Sequence, residues 1–422
     1  MIALGQANVV VLASLAVCLG AYIFVSRREG TYLNILTPSL IVNVPAFYLL
    51  PLIYNELFGS SGSTFAFVYI YLTFAVENLA FAFFYTRPRV RPICLPFGFG
   101  YKNFWLLSVA GIILAGLLFV PLLLEFREYI FEPRRIYELT RTGFGSLYYV
   151  SSTAAYLASI LALFSRQSRF KKALVLLASS LVLFLHGSKG QLLNLLLLVV
   201  LFAIYVQRRK LKLLPALMAC LGLGLVLIGL FAATMVLGGP MEAIETVSEY
   251  SDYTRNAMLV IDSNFPLQYG RLTWESNVVA LVPRVLMPDK PKDYGAFYLD
   301  AEFFPLSLER DQGVPAFGIG VQYADFGWLA IVYLAFFAAL SGWLARVSVA
   351  RLRRTRHPAD FVLVTFFAGI SLFPIGVGWP LPETLLVAMC LRFASRIGTD
   401  QVYRETVQVR PPILPGPELE GA

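Results

Sequence analysis

Residues 104–124 read FWLLSVAGIILAGLLFVPLLL, an apolar run with no charged side chain between Lys102 and Glu125. A transmembrane α-helix needs about 20 consecutive, mostly apolar residues, and this run is long enough. Ten further stretches satisfy the same criterion, so the chain is predicted to cross a membrane eleven times. The predicted spans are 6–25, 35–55, 63–85, 103–124, 146–164, 171–187, 190–206, 213–237, 325–345, 359–377 and 381–396.

The overall composition supports this interpretation. Of the 422 residues, 58% are hydrophobic and 14% are charged, and the mean hydropathy is +0.69. Soluble domains contain roughly 45–50% apolar and about 25% charged residues, so a soluble domain and a disordered chain are both excluded. We therefore predict an all-α fold, a polytopic bundle of about eleven transmembrane helices. The net charge is +8, but no nucleic-acid partner is expected, because most of the basic residues lie in alternate connections between the predicted spans.

The positions of the basic residues predict the orientation of the bundle. Most of the 34 Lys and Arg residues lie in the connections after spans one, three, five, seven and nine, and after span eleven. The positive-inside rule places these connections in the cytoplasm, so the N-terminus is expected outside and the C-terminus inside. The first basic residue, Arg27, follows the first apolar stretch, which favours a retained first span over a cleaved signal peptide.

The remaining connections divide the chain into four regions. Residues 1–237 hold spans one to eight and an Arg-containing external loop at 125–145. Residues 238–324 form an external connection too long to be passive, and we expect an ordered cap of short helices there. Residues 325–397 hold the last three spans, and residues 398–422 are expected to be a disordered cytoplasmic tail.

Arginine is concentrated in the predicted external loops of this charge-poor chain. Guanidinium groups bind phosphate oxygens in a bidentate manner, so these cations are suited to holding an anion. The alternative is that they form ion pairs with nearby carboxylates and only make the surface of the cap polar. The external cations considered are Arg134, Arg135, Arg141, Lys189, Arg255, Arg271, Arg284 and Arg310.

Aromatic residues are also dense in the long external loop. Their flat faces suit both sugar rings and anchoring at the membrane interface. Interfacial anchoring is favoured for Trp328 and Trp379, which lie at span ends, whereas the group at 294–304, including Tyr294, leaves both interpretations open.

One spacing recurs in the two longest external loops. Arg134 is followed by ten residues and Gly145, and Arg284 by ten residues and Gly295. Residues 283–291 read PRVLMPDKP, and residues 323–327 read YADFG directly before a span. Together these features resemble the O-antigen polymerases of the Wzy type, also called oligosaccharide repeat-unit polymerases. Many relatives carry Glu where this chain has Gln322.

The resemblance implies a GT-C-type glycosyltransferase in the bacterial inner membrane. Such an enzyme acts at the external face on undecaprenyl-diphosphate-linked oligosaccharide. It transfers the growing glycan from its lipid diphosphate onto the non-reducing end of a new lipid-linked unit. The resemblance also implies a flippase and a chain-length regulator, a polysaccharide co-polymerase, as partners.

The residues fit this chemistry. A departing diphosphate needs positioned cations, and Arg134 and Arg284 are predicted to converge on it. Arg135, Arg141, Lys189, Arg255 and Arg271 are further candidates for binding, as are Gly145, Gly295, Tyr294 and Tyr323. An acceptor hydroxyl needs a base, and the candidates are Glu275, Asp325 and His186.

A turn containing Pro288, Pro291 and Gly295 is expected to aim Arg284 inward. Proline locks φ, and Gly295 is expected to supply either a positive φ or a close backbone approach.

No cofactor is expected, and the enzyme is expected to be independent of metal. The first external loop, 56–62, contains Glu56 as its one acidic residue, and the acidic pattern Asp300-Ala301-Glu302 comes late in the chain. Two alternatives remain open: an O-antigen ligase that uses the same donor, and a flippase for the same lipid. Transporters commonly show internal repeats, and none is evident here.

Overall fold

The structure is a computed structural model that describes residues 4–59, 62–87, 103–130, 135–136, 139, 144–187, 189–209, 222, 251–279, 282, 286–291, 293–306, 316–370, 372 and 381–394. Within these ranges the regular elements are helices, with no strand. In chain order they are α1 (Leu4–Glu29), α2 (Thr37–Phe58), α3 (Thr64–Tyr85), α4 (Phe104–Glu125), α5 (Gly145–Phe164), α6 (Arg169–Leu185), α7 (Lys189–Leu201), α8 (Asp252–Asp262), α9 (Arg271–Asn277), α10 (Ala296–Phe303), α11 (Gly320–Phe326), α12 (Ala330–Thr355), α13 (Pro358–Phe367) and α14 (Leu381–Ala394).

In the part of the chain that the structure describes, six helical segments are long and apolar enough to cross a membrane. They are Gly5–Glu29, Thr37–Phe58, Thr64–Tyr85, Phe104–Glu125, Leu147–Phe164 and Gly320–Thr355, and two shorter apolar helices cover Gly190–Val206 and Pro358–Phe367. The prediction of a polytopic helical membrane protein is therefore confirmed. The predicted span 213–237, residue 222 excepted, and the tail 398–422 lie outside the described residues.

The bundle is organised around α3 and α5. Helix α3 packs between α1 and α12, and α5 packs against α4 and α6. Gly342 of α12 faces the backbone of Phe81 so closely that a β-carbon there would collide with it, which explains the tight contact of α12 with α3. One hydrophobic cluster of buried side chains joins α1, α3, α5, α7, α12, α13 and α14 into a single core.

Proline modifies α2 without ending it. A π-helical turn covers Pro45–Leu49, and Pro51 follows in the next turn. Proline removes a backbone donor, and a π-helical turn accommodates the resulting break in the hydrogen-bond ladder.

Four short helices, α8 to α11, lie between residues 251 and 326, and we call this region the short-helix segment. Its own core contains Val260, Leu272, Leu299, Phe317 and Ala324. Helix α8 also packs against α3 and is tied to its first turn. The backbone N–H and the hydroxyl of Ser63 donate to the Asp262 carboxylate, at 2.8 and 2.5 Å. The short-helix segment therefore lies at the N-terminal end of α3.

Buried charges hold the bundle together at the opposite end of α3. Glu29 accepts a hydrogen bond from the Tyr205 hydroxyl at 3.1 Å and lies 3.7 Å from Arg353. Asp360 is fully buried and pairs with Arg351 at 3.3 Å and with Arg392. Since a buried charge is costly unless it is paired, these contacts fix the relative positions of α1, α12, α13 and α14.

Candidate active site

The structure places the predicted site residues in two groups. The first group belongs to the short-helix segment and contains Arg255, Arg271, Glu275, Tyr294, Gly295, Tyr323 and Asp325. The second group lies where α4 to α7 meet and contains Arg135, Gly145, His186 and Lys189. Arg134, Arg141, Arg284 and Arg310 lie outside the described residues, as does the Lys189 side chain.

Both groups lie at the same end of the bundle. Phe164, at the end of α5, contacts Phe361 at the start of α13, with ring centroids 5.6 Å apart. That contact lies at the end of the bundle that holds the buried charges of Asp360. Gly145, at the start of α5, is therefore at the opposite end, which is also the end that carries the short-helix segment.

Glu275 links two short helices through both of its carboxylate oxygens. Oε1 accepts a hydrogen bond from Arg271 Nε at 2.8 Å, one turn earlier in α9. Oε2 accepts from the backbone N–H of Gly295 at 2.7 Å, just before α10. The carboxylate keeps 19% of its side-chain surface exposed, so it remains accessible to a substrate.

Gly295 must be glycine for two reasons. Its φ is +61°, a region that other residues rarely adopt. A β-carbon at this position would also lie 2.5 Å from Ser276 Oγ and 2.9 Å from the Ser276 nitrogen. Ser276 Oγ accepts from the Ala296 N–H at 3.1 Å, so this close approach docks α10 onto α9. The prediction that Gly295 supplies either a positive φ or a close backbone approach is confirmed, and the structure shows both. Gly145, in contrast, has open space around its β-carbon position and starts α5.

Asp325 is buried and caps the first turn of α9. Its Oδ1 accepts from the Leu272 N–H at 2.9 Å and its Oδ2 from the Thr273 N–H at 2.7 Å. The N-terminal amides of a helix lack intrahelical partners, so this contact stabilises α9. Asp325 therefore stabilises the helix that carries Glu275, while its predicted role as a base stays a prediction.

The described cations of the short-helix segment make cation–π contacts with aromatic rings. Arg271 lies 4.8 Å from the Tyr298 ring centroid, and its bond to Glu275 raises the pKa of its guanidinium. Arg255 lies 4.1 Å from the Tyr54 ring and pairs with Asp252 at 3.2 Å. Arg271 is about half exposed, at 48% of its side chain, and so retains donors for an anion.

The aromatic residues of this segment divide between its core and its surface. Tyr298, Phe303 and Phe304 pack against the core of the segment, which favours a structural role for most of the 294–304 group. Tyr294 contacts Phe297 and carries the Lys290 ammonium 4.3 Å from its ring centroid. Among the described residues of this segment, the exposed aromatic side chains are instead Tyr253, at 43%, Trp274, at 62%, and Tyr269, at 85% with a φ of +52°. Tyr323 stacks edge-on against Tyr69 at 5.1 Å.

His186 lies in the second group, at the end of α6. Its ring stacks on Phe119 with centroids 4.4 Å apart and meets the Tyr148 ring edge-on at 4.6 Å. The sequence pattern did not indicate Tyr148, which contacts His186, or Gln191, which donates to the Tyr148 hydroxyl. Their spacing matches no known motif, and they come together only because α5 and α7 pack beside α6.

Asp300 also gains its importance only from the tertiary structure. It is 1% exposed on α10, and both its carboxylate oxygens lack a hydrogen-bond partner among the described residues. Burial raises the pKa of this carboxyl to about 8, because the charged form loses its hydration. Asp300 is therefore neutral over most of the physiological pH range.

We expect this carboxyl to make stability depend on pH. Its pKa is raised in the folded state, so the folded protein binds more protons than the unfolded chain between about pH 4 and 8. Stability therefore falls as pH rises, by about 1–2 kcal/mol between pH 6 and 8. Asp300→Asn should remove this loss and raise the melting temperature at pH 8. The exposed Glu302→Gln is the matched control; an identical pH profile in both variants would contradict the assignment.

No group of three or more His, Cys, Asp or Glu residues with the geometry of a metal site occurs in the part of the chain that the structure describes. The polar side chains of the two groups at this end of the bundle are carboxylates, guanidinium groups and phenols in the short-helix segment, and an imidazole where α4 to α7 meet. They can hold an anion, accept a proton from a hydroxyl and bind sugar hydroxyls.

Comparison with known proteins identifies the family. The chain is 36% identical over 371 residues to the O-antigen polymerases of Salmonella typhimurium and Salmonella typhi, which covers 87% of this chain and 90% of each relative. No protein-family model and no solved structure matches it significantly. The high coverage, together with the helical membrane fold, shows that the chain belongs to the O-antigen polymerase family of membrane glycosyltransferases.

Proposed function

We propose that this enzyme polymerises undecaprenyl-diphosphate-linked oligosaccharide repeat units at the external face of the inner membrane. It transfers the growing glycan onto the non-reducing end of a new lipid-linked unit. The observation that carries this proposal is the 36% identity, over 87% of the chain, to two proteins named O-antigen polymerase. The cations and carboxylates at one end of the bundle support it.

The proposed topology has eleven spans, with the N-terminus outside and the C-terminus in the cytoplasm. The short-helix segment then belongs to the external cap at 238–324. The distribution of charges supports this orientation. Arg351, Arg353 and Arg392 lie at the end of the bundle opposite to the short-helix segment, as the positive-inside rule requires of a cytoplasmic face.

In the proposed reaction, the acceptor hydroxyl oxygen bonds to the anomeric carbon of the donor glycan. The bond from that carbon to the diphosphate oxygen breaks, and the undecaprenyl diphosphate leaves with the electron pair. Arg134 and Arg284 would stabilise the charge of this leaving group, with Arg135, Arg141, Lys189, Arg255 and Arg271 in support. Glu275, Asp325 or His186 would take the hydroxyl proton.

Two features of the described residues support Glu275 in this role. Its carboxylate is accessible, and it lies beside the half-exposed Arg271, at 2.8 Å. A carboxylate can accept the proton of a hydroxyl group that binds beside it. The hydrogen bond from Gly295 fixes its orientation. Tyr294, Tyr323, Gly145 and Gly295 complete the proposed substrate-binding set, and we propose a flippase and a chain-length regulator as partners.

The decisive test is reconstitution of the purified full-length protein with undecaprenyl-diphosphate-linked repeat unit as the sole substrate and no added metal. We expect a ladder of longer lipid-linked products, resolved by electrophoresis. Transfer only after lipid-A core is added would show a ligase, and translocation of the lipid without a new glycosidic bond would show a flippase. Either result would overturn the proposal.

A further inference from the structure

Four exposed apolar side chains lie where the short-helix segment joins α12. They are Leu267, Tyr269, Trp328 and Leu329, and we call them the junction patch. A group of exposed apolar side chains marks a site of contact with a protein or a membrane. The position of the junction patch relative to the lipid bilayer decides which of the two fits.

Short contacts hold the two halves of the junction patch together. The backbone N–H of Tyr269 donates to the Asp325 carbonyl oxygen at 2.9 Å. Leu267 Cδ2 lies 3.3 Å from the position of a β-carbon on Gly327. Leu267 and Tyr269 are therefore fixed beside the residues that directly precede Trp328.

Tyr269 is held in a strained backbone conformation. Its φ of +52° lies in the left-handed region, which a bulky residue rarely adopts. The side chain is 85% exposed, so its contacts within the chain do not compensate for this strain. Strained residues concentrate at functional sites, and tyrosine is enriched at the boundary between lipid and water. A contact with that boundary explains both the strain and the exposure.

The lengths of α3 and α12 place one membrane boundary at a common level. Arg87 and Arg346 are the first basic residues after the apolar stretches of these two helices. Arg346 Cζ lies 6.0 Å from the ring centroid of Tyr85 in α3, so both helices reach their basic ends together. A span contains about 20 residues, so the opposite boundary lies near residue 67 of α3 and residue 326 of α12.

The structure brings these two positions together. The Tyr69 hydroxyl lies 3.3 Å from the Gly327 carbonyl oxygen and 3.4 Å from that of Trp328. The junction patch therefore lies at the membrane boundary on this side of the bundle. Val332 and Phe336 are exposed on the following turns of α12, within the membrane-spanning segment, and so face lipid. The junction patch continues this lipid-facing surface, which favours lipid over a protein as its partner.

The same contacts set the height of α9. Arg271 follows Tyr269 by two residues, which is at most about 7 Å of backbone. The headgroup layer is about 5–8 Å thick on each side of the hydrocarbon core. Asp325, whose carbonyl oxygen holds Tyr269, also caps α9 through its carboxylate. Arg271, with the Glu275 carboxylate bonded to it, therefore lies at the depth of the lipid headgroups.

We propose that the junction patch inserts into the lipid–water interface and holds Arg271 and Glu275 at the depth of the diphosphate of a lipid-linked substrate. The leucines of the patch enter the acyl region, while its tyrosine and tryptophan lie at the headgroups, where an apolar ring with a polar tip is suited. The insertion stands on the geometry of the patch alone, whereas the link to the diphosphate rests on the proposed function.

Tryptophan fluorescence in vesicles tests the insertion without any substrate. Purified full-length Tyr269→Trp is reconstituted in phosphatidylethanolamine and phosphatidylglycerol, with or without lipids brominated on the upper acyl chain. Bromine quenches tryptophan on contact, and an interfacial apolar surface reaches about 5–10 Å into the membrane. We expect the fluorescence added at residue 269, beyond that of the five native tryptophans, to be quenched by brominated lipid. Leu267→Trp should behave alike, and it serves as the second variant if Tyr269→Trp does not fold.

Glu302→Trp is the matched control, because Glu302 is an exposed residue of the same segment and its charge is suited to water. Its added fluorescence should resist brominated lipid and be quenched by aqueous iodide. If the fluorescence added at residues 267 and 269 is also quenched by iodide and not by lipid, the junction patch faces water or a protein partner, and the proposal is overturned.

Kinetics in the same vesicles test whether the junction patch sets the height of the site. Tyr269→Gly adopts the left-handed backbone without strain but lacks the ring. We expect its KM for undecaprenyl-diphosphate-linked repeat unit to rise about three- to tenfold, with kcat nearly unchanged, because substrate binding weakens. Tyr269→Trp should keep the wild-type KM. A wild-type KM in Tyr269→Gly would overturn the link between the patch and the site.

The two measurements separate this inference from the proposed function. Quenching of residue 269 by lipid, in protein that makes no ladder, would support the insertion and refute the polymerase. A ladder from the wild type, with residue 269 in water, would refute the insertion and leave the polymerase standing.

Discussion

Replacing Arg134 or Arg284 with alanine is expected to lower polymerase turnover about tenfold or more, and the double variant should form no ladder. A charge-assisted hydrogen bond contributes about 1.5–3 kcal/mol, which corresponds to roughly one to two orders of magnitude in rate when it acts on the departing diphosphate. Lysine should restore only part of the rate, because an ammonium cannot make the bidentate contact. The measurement is the initial rate of lipid-linked product formation at matched protein concentration.

Arg284 lies outside the described residues, and its role stays a prediction; the residues that flank it in the chain make local contacts. Lys290 is buried, and its ammonium donates to the Val282 carbonyl oxygen at 3.2 Å. Its own backbone N–H donates to the Met287 carbonyl oxygen at 3.1 Å. These contacts tie residue 290 to residues 282 and 287, which flank Arg284 in the chain.

Arg169→Ala is a suitable control, because this exposed arginine starts α6 at the opposite end of the bundle. It should keep the wild-type rate. Normal polymerisation by the Arg134→Ala/Arg284→Ala protein, present in the membrane at the wild-type level, would show that the diphosphate is held elsewhere.

Gly295→Val should abolish most polymerase activity while leaving much of the protein in the membrane. A side chain here must adopt a φ of +61° and displace Ser276, whose Oγ lies 2.5 Å from the β-carbon position. The Gly295 N–H would then move away from Glu275, which accepts from it at 2.7 Å. We expect turnover to fall about tenfold or more, as for other misplaced catalytic groups. The assay compares product formation with protein level in isolated membranes.

Gly59→Val is the control that distinguishes the effect of backbone strain from the effect of a steric collision. Gly59 has a φ of +81°, but no atom of the described residues lies within 4 Å of its β-carbon position. A valine there is strained without displacing a neighbour, so turnover per molecule should change little. If Gly295→Val lowers membrane protein level and activity in equal proportion, the role of Gly295 is structural and not specific to the site.

The positions of the long spans could be predicted from sequence because each apolar run carries its own signal. The run at 104–124 is an example, since its length and lack of charge alone require a lipid environment. The structure has α4 at Phe104–Glu125. Gly295 was also predictable, because glycine at a conspicuous spacing suggests a backbone that other residues cannot adopt.

The importance of Asp300, Tyr148 and Gln191 could not be predicted in this way. An aspartate in a short amphipathic stretch is normally interpreted as solvent-exposed. The neighbouring residues in the sequence do not indicate that the Asp300 side chain is buried. Tyr148 and Gln191 are 43 residues apart and look like ordinary interfacial residues. Their hydrogen bond forms only because three helices pack together, and no local sequence pattern predicts this contact.

The membrane class, the helical fold and the family-specific spacing could be recognised from the amino-acid sequence, because hydrophobic length and motif spacing are properties of short stretches of chain. The contacts of each polar residue depend on tertiary packing. The structure shows Asp325 capping α9 across 53 residues, and Glu275 joining Arg271 to the Gly295 backbone. Hydrogen bonds reach only about 3 Å, so the partner of a side chain depends on how helices distant in sequence are packed.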